Sequence, residues 1–362
     1  MIAQIDLISA NGQGTGDVAQ QLISGGRVDV GRMRPWFDPK TGRSYISVHT
    51  GGDLRVKANW KNVPINNNAT LRRDEWKHLD EAVIRVARER LKGVEDLKSR
   101  GLTYNLNGMG STVLEYHDVS EALKTTISMD GVTRGQNDGV VFSPNYLPLP
   151  IVHVDYELND RVLNVSRTLG QPLDTTLAEQ ASRRIAETLE DFLFTDKTYA
   201  YGGGTIYSYV NHPDRNMVSG LTAWTASAKT AEGIRDDVLE MKQKALDNKH
   251  YGPWVLYIPT AYETVLDEDY DDTRGNTIRQ RLMAIEGIAA IKTIDKLPAN
   301  NILLVEMTSE VVRWINGMDV QNVQWSQEGG MIHKFKVMTI QVPQIRSDQE
   351  GNSGLIHMAA SH

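Results

Sequence analysis

The chain has 362 residues, 40% of them hydrophobic and 23% charged, the proportions of an ordinary globular protein with material for two or three domains. It contains no cysteine, which excludes disulfides, thiolate nucleophiles and cysteine-ligated zinc or iron–sulfur centres. The net charge of −7 is uneven: residues 1–73 hold ten Lys or Arg against five Asp or Glu, an excess of five positive charges, so the remainder carries twelve negative.

A basic arm on an acidic body points to an arm that docks on acidic protein surface or meets nucleic acid. No apolar run is long enough to span a bilayer, and no basic-plus-apolar leader pattern opens the sequence, so no membrane partner and synthesis in the cytoplasm are the expectations.

Residues 1–72 show no sustained helical period. Within them, 34–48 reads as a hairpin, with Pro39-Lys-Thr-Gly42 as the turn between Trp36-Phe37 and Tyr45-Ile46. A two-stranded hairpin is marginal alone and this arm lacks apolar mass for a core. Its order is therefore expected to come from contacts made by Trp36, Phe37, Tyr45, Ile46 and Trp60, large side chains of the kind that dominate interfaces.

Residues 73–98 predict one amphipathic helix, with Trp76, Leu79, Val83, Val86, Ala87, Leu91, Val94 and Leu97 on one face. Residues 104–145 read as an extended excursion with Asp130-Gly131 and Asp138-Gly139 as turn dipeptides. They bracket a polar tip containing Arg134 and Asn137, which is expected to contact a neighbouring subunit. After Tyr146-Leu-Pro-Leu-Pro150 comes a strand over 151–158, alternating apolar and polar.

The element on which the rest is expected to pack is a helix of about 20 residues ending at Phe194, roughly 30 Å long. Its stripe is Leu177, Ala181, Ile185, Leu189, Phe192 and Leu193; Asp174 and Thr175 are capping types, and Thr176 with Glu179 has capping-box spacing. Burying such a stripe stabilises by on the order of 10 kcal/mol before entropy is subtracted. Beyond it, Gly202-Gly-Gly204 reads as a tight turn. A helix over 229–248, a buried strand at 254–258, a helix at 277–285 and strands at 290–294, 302–306 and 311–315 predict a compact α/β unit. Strands at 334–342 and 354–358 are expected to return to the body.

Candidate chemistry is sparse. No Gly-Lys dipeptide occurs, so a phosphate-binding Walker loop is absent. Gly351-Asn-Ser-Gly354 misses the nucleophile-elbow spacing, and the nine histidines never take zinc-protease spacing. Asp267-Glu268-Asp269-Tyr270-Asp271-Asp272 mimics the opening of a calcium loop, but Asp272 stands where Gly is needed and Ile278 where the bidentate Glu belongs. A solvated acidic loop is the main reading. No catalytic residue, cofactor or metal is expected.

These elements, in this order, resemble the tailed-bacteriophage major capsid proteins and, closely, the encapsulins that share their Hong Kong phage type fold. The resemblance starts at Arg73-Asp-Glu-Trp-Lys-His-Leu-Asp80. It continues through Leu147-Pro-Leu-Pro150, the long helix ending Leu189-Glu-Asp-Phe-Leu-Phe194, Gly252-Pro-Trp-Val-Leu-Tyr-Ile258 and the strand at 335–342. It implies an α+β fold. The expected parts are an N-terminal arm at 1–72, an N-terminal helix leading into the peripheral domain at 73–111, and an extended loop at 112–147. A peripheral domain with the spine helix at 148–217, an axial domain at 218–318 and return strands of the peripheral domain at 319–362 complete the division.

The resemblance further implies a non-enzymatic subunit that assembles as pentamers and hexamers into an icosahedral shell. Portal protein, scaffold or decoration proteins and non-specifically held packaged DNA would be the partners of a phage head, and the virion its location. The arm favours a phage capsid over an encapsulin enclosing a cargo enzyme. Because the arm lacks the heptads of a cleaved scaffolding domain, no such cleavage is expected. A soluble α/β enzyme is the alternative of another class. In a shell, residues 267–272 would lie near a capsomer axis, where like charges repel. Replacing Asp271 and Asp272 with Asn is then expected to ease capsomer formation at low salt. Sedimentation across a salt series checks this, and indifference to both changes would make the loop merely solvated.

Overall fold

The computed structural model describes residues 34–49, 60–65, 71–90, 92–119, 142–169, 175–218, 222–270, 275–326, 332–348 and 351–359. The chain opens with a three-stranded antiparallel sheet of β1 (Trp36–Asp38), β2 (Arg43–His49) and β3 (Trp60–Ile65). The turn falls at Pro39–Gly42 as the sequence indicates, with Trp36 opposite Tyr45 and Phe37 opposite Ser44; the third strand was not anticipated.

This sheet is clasped to the helix that follows, α1 (Arg73–Arg90). Phe37 N–H donates to Leu71 O at 2.9 Å, and the Trp76 indole N–H donates to Pro35 O at 3.0 Å. The Arg34 guanidinium lies 4.7 Å from the Trp76 ring centroid and pairs with Asp80. Order in the described part of the arm therefore has a source within its own chain.

The helix expected over 73–98 is two helices, α1 and α2 (Lys92–Ser99). The reason lies across the core. Glu190 Oε1 accepts from Gly93 N–H at 2.9 Å and Val94 N–H at 3.3 Å, satisfying donors that a helix start leaves free. Gly93 is also pressed against Phe194: an added Cβ would sit 2.4 Å from that ring.

Next come β4 (Thr103–Asn105), β5 (Val113–Val119), β6 (Phe142–Pro148) and β7 (Val152–Asn159). β5 and β6 pair antiparallel in register from Val113–Pro148 to Val119–Phe142, forming the stem of the expected excursion. Its tip, with Arg134 and Asn137, lies outside the described residues. A helix the sequence reading missed, α3 (Asp160–Leu169), follows directly; Asn159 Oδ1 accepts from Arg161 N–H at 2.8 Å and starts it. Arg167 of α3 grips Glu75 of α1 through Nε and Nη2 at 2.8 and 2.7 Å.

The long helix is α4 (Thr176–Phe194), 19 residues. Its cap is Thr175, one of the capping types the sequence offers, rather than Thr176 in a capping box, and the Thr175 hydroxyl bonds the Glu179 carboxylate instead of a backbone N–H. Leu177 is 43% exposed and lies off the buried stripe, which Ala178, Ala181, Ser182, Ile185, Ala186, Leu189 and Leu193 form. The short hairpin β8 (Tyr199–Tyr201) to β9 (Gly204–Ile206) turns on Gly202 and Gly203, whose φ of 61° and 82° suits a two-residue turn closed to most side chains.

The remaining elements are β10 (Asn216–Val218), α5 (Ala231–Asp247), β11 (Trp254–Pro259), α6 (Glu263–Leu266), α7 (Ile278–Met283), β12 (Ile288–Ile294), β13 (Asn301–Glu306), β14 (Val312–Ser326), β15 (Ile332–Ile345) and β16 (Leu355–Ala359). They form two sheets. A mixed five-stranded sheet runs β10-β16-β13-β11-β12, and a four-stranded sheet runs β4-β14-β15-β7.

Two expectations are corrected here. The strand expected to end at Ile315 continues to Ser326, pairing with β15 along the body. The strand at the chain's end does not return to the body's sheet: β16 inserts between β10 and β13 of the α/β unit.

The five-stranded sheet separates two cores. Val255, Tyr257, Leu303, Val305 and Leu355 face α4 and the four-stranded sheet, whereas Leu256, Ile258, Ile302, Leu304, Ile356 and Met358 face α5 and α7. Alternation along each strand sorts neighbours to opposite faces, so both faces being covered makes the strand sequences continuously apolar.

Glu190 is 5% exposed, and burial pushes its carboxyl up to about 7 against the pull of the Gly93 and Val94 N–H groups and Lys92. A carboxyl raised on folding contributes stability that is present below its unfolded pKa and lost as pH rises through about 7. Glu190→Gln keeps an acceptor for the two N–H groups without the charge. The variant is expected to unfold at higher urea than wild type near pH 8, by about 2 kcal/mol, with the gain vanishing near pH 5. Parallel pH profiles for the two proteins would refute this.

Candidate assembly surfaces

The aromatic anchors named from the sequence gather on one small sheet. Trp36 and Tyr45 stack at 5.1 Å with an interplanar angle of 28°. Arg73 sits 5.7 Å over Trp36, whose ring also packs on the main core. Phe37, Tyr45 and Trp60 are half-buried, but Ile46 is fully buried within its own chain and so is covered without a partner. On the same sheet, Lys40, Arg43 and Lys61 are exposed and enter no ion pair among the described residues.

The acidic stretch follows α6. Asp267 accepts from Arg279 Nε at 3.0 Å, Ile278 N–H donates to Glu268 O at 3.0 Å, and Asp269 bridges Thr277. The Tyr270 hydroxyl accepts from Arg235 Nη1 at 2.9 Å, and Arg281 lies 5.8 Å over the Tyr270 ring. Asp267 is thus paired with Arg279, while Arg235 and Arg281 attend Tyr270, a setting the sequence spacing did not reveal. Asp271 and Asp272 lie outside the described residues. Among the described residues, no three His, Asp or Glu gather as metal ligands.

A cleft of about 560 Å³ opens where the β5–β6 stem meets the body. Its walls are Tyr116 and Tyr146 from the stem, Tyr207, the Gly203–Gly204 turn, and the chain beyond β15. Gly204 permits the closeness: a Cβ there would stand 1.9 Å from Tyr146 O. Asp214 and Asp348 are its formally charged lining residues, with His212 between the walls. The sequence assigns no role to His212, Asp214 or Asp348. Their only signal was turn composition, since residues 116, 146, 214 and 348 meet through the fold alone.

A double-cored α+β body with a spine helix, a projecting two-stranded stem and a mixed α/β unit is the fold of viral capsids and encapsulin shells, as the resemblance implied. A virus-like particle from Pyrococcus furiosus shares it at a TM-score of 0.58 and 16% identity, over 78% of this chain and 98% of that one. The capsid of Myoviridae phage XM1 does so at 0.54 and 9% identity, over 73% and 90%. The chain belongs to a family described so far as one of unknown function, DUF6260, whose pattern matches residues 66–358. In sequence it is similar to the type 1 encapsulin shell protein EncA of Myxococcus xanthus, 24% identical over 235 residues, covering 64% of this chain and 71% of EncA.

Proposed function

We propose that this chain is the structural subunit of a closed icosahedral shell, built from pentamers and hexamers, and that the shell is a phage-type head enclosing double-stranded DNA. The observation that carries the shell reading is the shared fold itself. The arm favours the phage form: most of it, residues 1–65, lies before the family match, and it carries the chain's positive excess. The proposed partners are further copies of this chain, a portal protein, scaffold or decoration proteins and packaged DNA. The stem and the aromatic small sheet are elements with little core of their own, and many repeated modest contacts suffice to hold a closed shell together.

Electron microscopy of particles from the producing cells, followed by nuclease treatment, tests the reading. Uniform closed shells holding nuclease-resistant double-stranded DNA are expected; monomers or small oligomers alone would refute it. The similarity to EncA favours a second reading, an encapsulin enclosing a cargo enzyme. Shells free of nucleic acid that carry a co-purifying protein would decide for that.

A further inference from the structure

The cleft beneath the stem combines aromatic faces with carboxylates, the surroundings an ammonium or guanidinium group seeks. Asp214 is held in place by the Ser347 hydroxyl, which donates to Oδ2 at 2.6 Å, and it enters no ion pair among the described residues. Asp348 is fixed by Asn352, through N–H at 2.7 Å and Nδ2 at 2.9 Å. A carboxylate offers about four lone-pair directions, so Asp214 retains capacity for a cation, and Asp348 adds its negative charge to the same lining.

No Lys or Arg is among the described residues that line the cleft. His212 accepts from Asp214 N–H at 3.2 Å through Nδ1, and burial holds its pKa down to about 4, so the ring is neutral at ordinary pH. The neighbouring Arg215 is turned away, with Nη1 donating to His212 O and Nε to His357 Nδ1.

We infer that this cleft receives a cationic side chain from the three-stranded sheet of a second copy of this chain, Asp214 taking Lys40, Arg43 or Lys61 beside the negative charge of Asp348. Charge complementarity argues for this occupant: the cleft's formal charges are negative, and that sheet displays three exposed cations without ion pairs among the described residues. The chain's own sheet is clasped to α1, and none of its residues lines the cleft, so the donor is another copy. The inference rests on the shell reading and names the contact by which one subunit's arm reaches the next.

Carbodiimide coupling of assembled wild-type particles, with peptide mapping, tests it directly. Shells built from an equal mixture of nitrogen-14 and nitrogen-15 protein are expected to yield peptides joining Lys40 or Lys61 to Asp214 or Asp348, half of them isotopically mixed. Unassembled subunits are expected to lack them. Asp214→Lys is expected to lower the assembled fraction about tenfold, and adding Lys40→Glu, Arg43→Glu and Lys61→Glu to recover most of that loss. Closed shells without the crosslink, with unmixed crosslinks only, or with the cleft joined instead to a lysine outside the three-stranded sheet would overturn the inference and leave the shell reading standing. Failure to form shells under any condition would overturn both.

Discussion

Replacing Gly204 with alanine is expected to unseat the stem from the body and give the largest loss of any single methyl addition here. The new Cβ would lie 1.9 Å from Tyr146 O and 2.5 Å from Tyr146 C, both backbone atoms of β6. No rotamer change relieves a clash with backbone, so β9 and β6 must part and the cleft between them must open. A cost of about 2–4 kcal/mol is expected for such forced overpacking. Gly275→Ala is the matched control: its φ of +61° is strained for alanine, but nothing lies within 4 Å of the added carbon. It is expected to cost only about 1 kcal/mol. Urea unfolding of both unassembled variants measures the difference, and microscopy then scores shells. Equal destabilisation by the two would show that the stem is not seated as described.

Deleting residues 2–60 is expected to leave a folded, soluble subunit that forms capsomers but at least about tenfold fewer closed shells, because removing an interface's aromatic anchors is costly. The subunit itself loses some stability. The Trp76 indole loses its acceptor at Pro35 O, Asp80 loses Arg34, and the core loses the cover of Trp36. Each lost hydrogen bond removes about 1 kcal/mol, small against the many buried contacts of α1 with α4 that remain. Denaturant melts of the truncated subunit and particle counts by sedimentation separate the two effects. Replacing Arg32, Arg34 and Arg43 with Gln is expected to weaken empty and DNA-filled shells alike. A defect confined to filled particles would make nucleic acid the arm's partner, and normal shell yield from the deletion would make the arm dispensable.

Periodicity alone set out most of the elements. The stripe on the spine helix, the turn at Gly202-Gly203, the hairpin at Pro39–Gly42 and the buried strand at 254–258 each depend on neighbours within a few residues, so local sequence determines them. Tertiary structure decided what depends on residues far apart in the chain. The break between α1 and α2 comes from Glu190 and Phe194, about a hundred positions away, which supply a cap and a flat surface that only a glycine can meet. The length of β14 follows from β15 lying beside it, since an exposed-looking alternation becomes a strand once a partner completes its ladder. β16 joined the α/β unit because its apolar residues fit between β10 and β13, and an apolar strand sequence does not specify which of two sheets will cover it. The cleft is the extreme case: its aromatics and carboxylates come from four separate segments and share no pattern until the stem folds over Gly204.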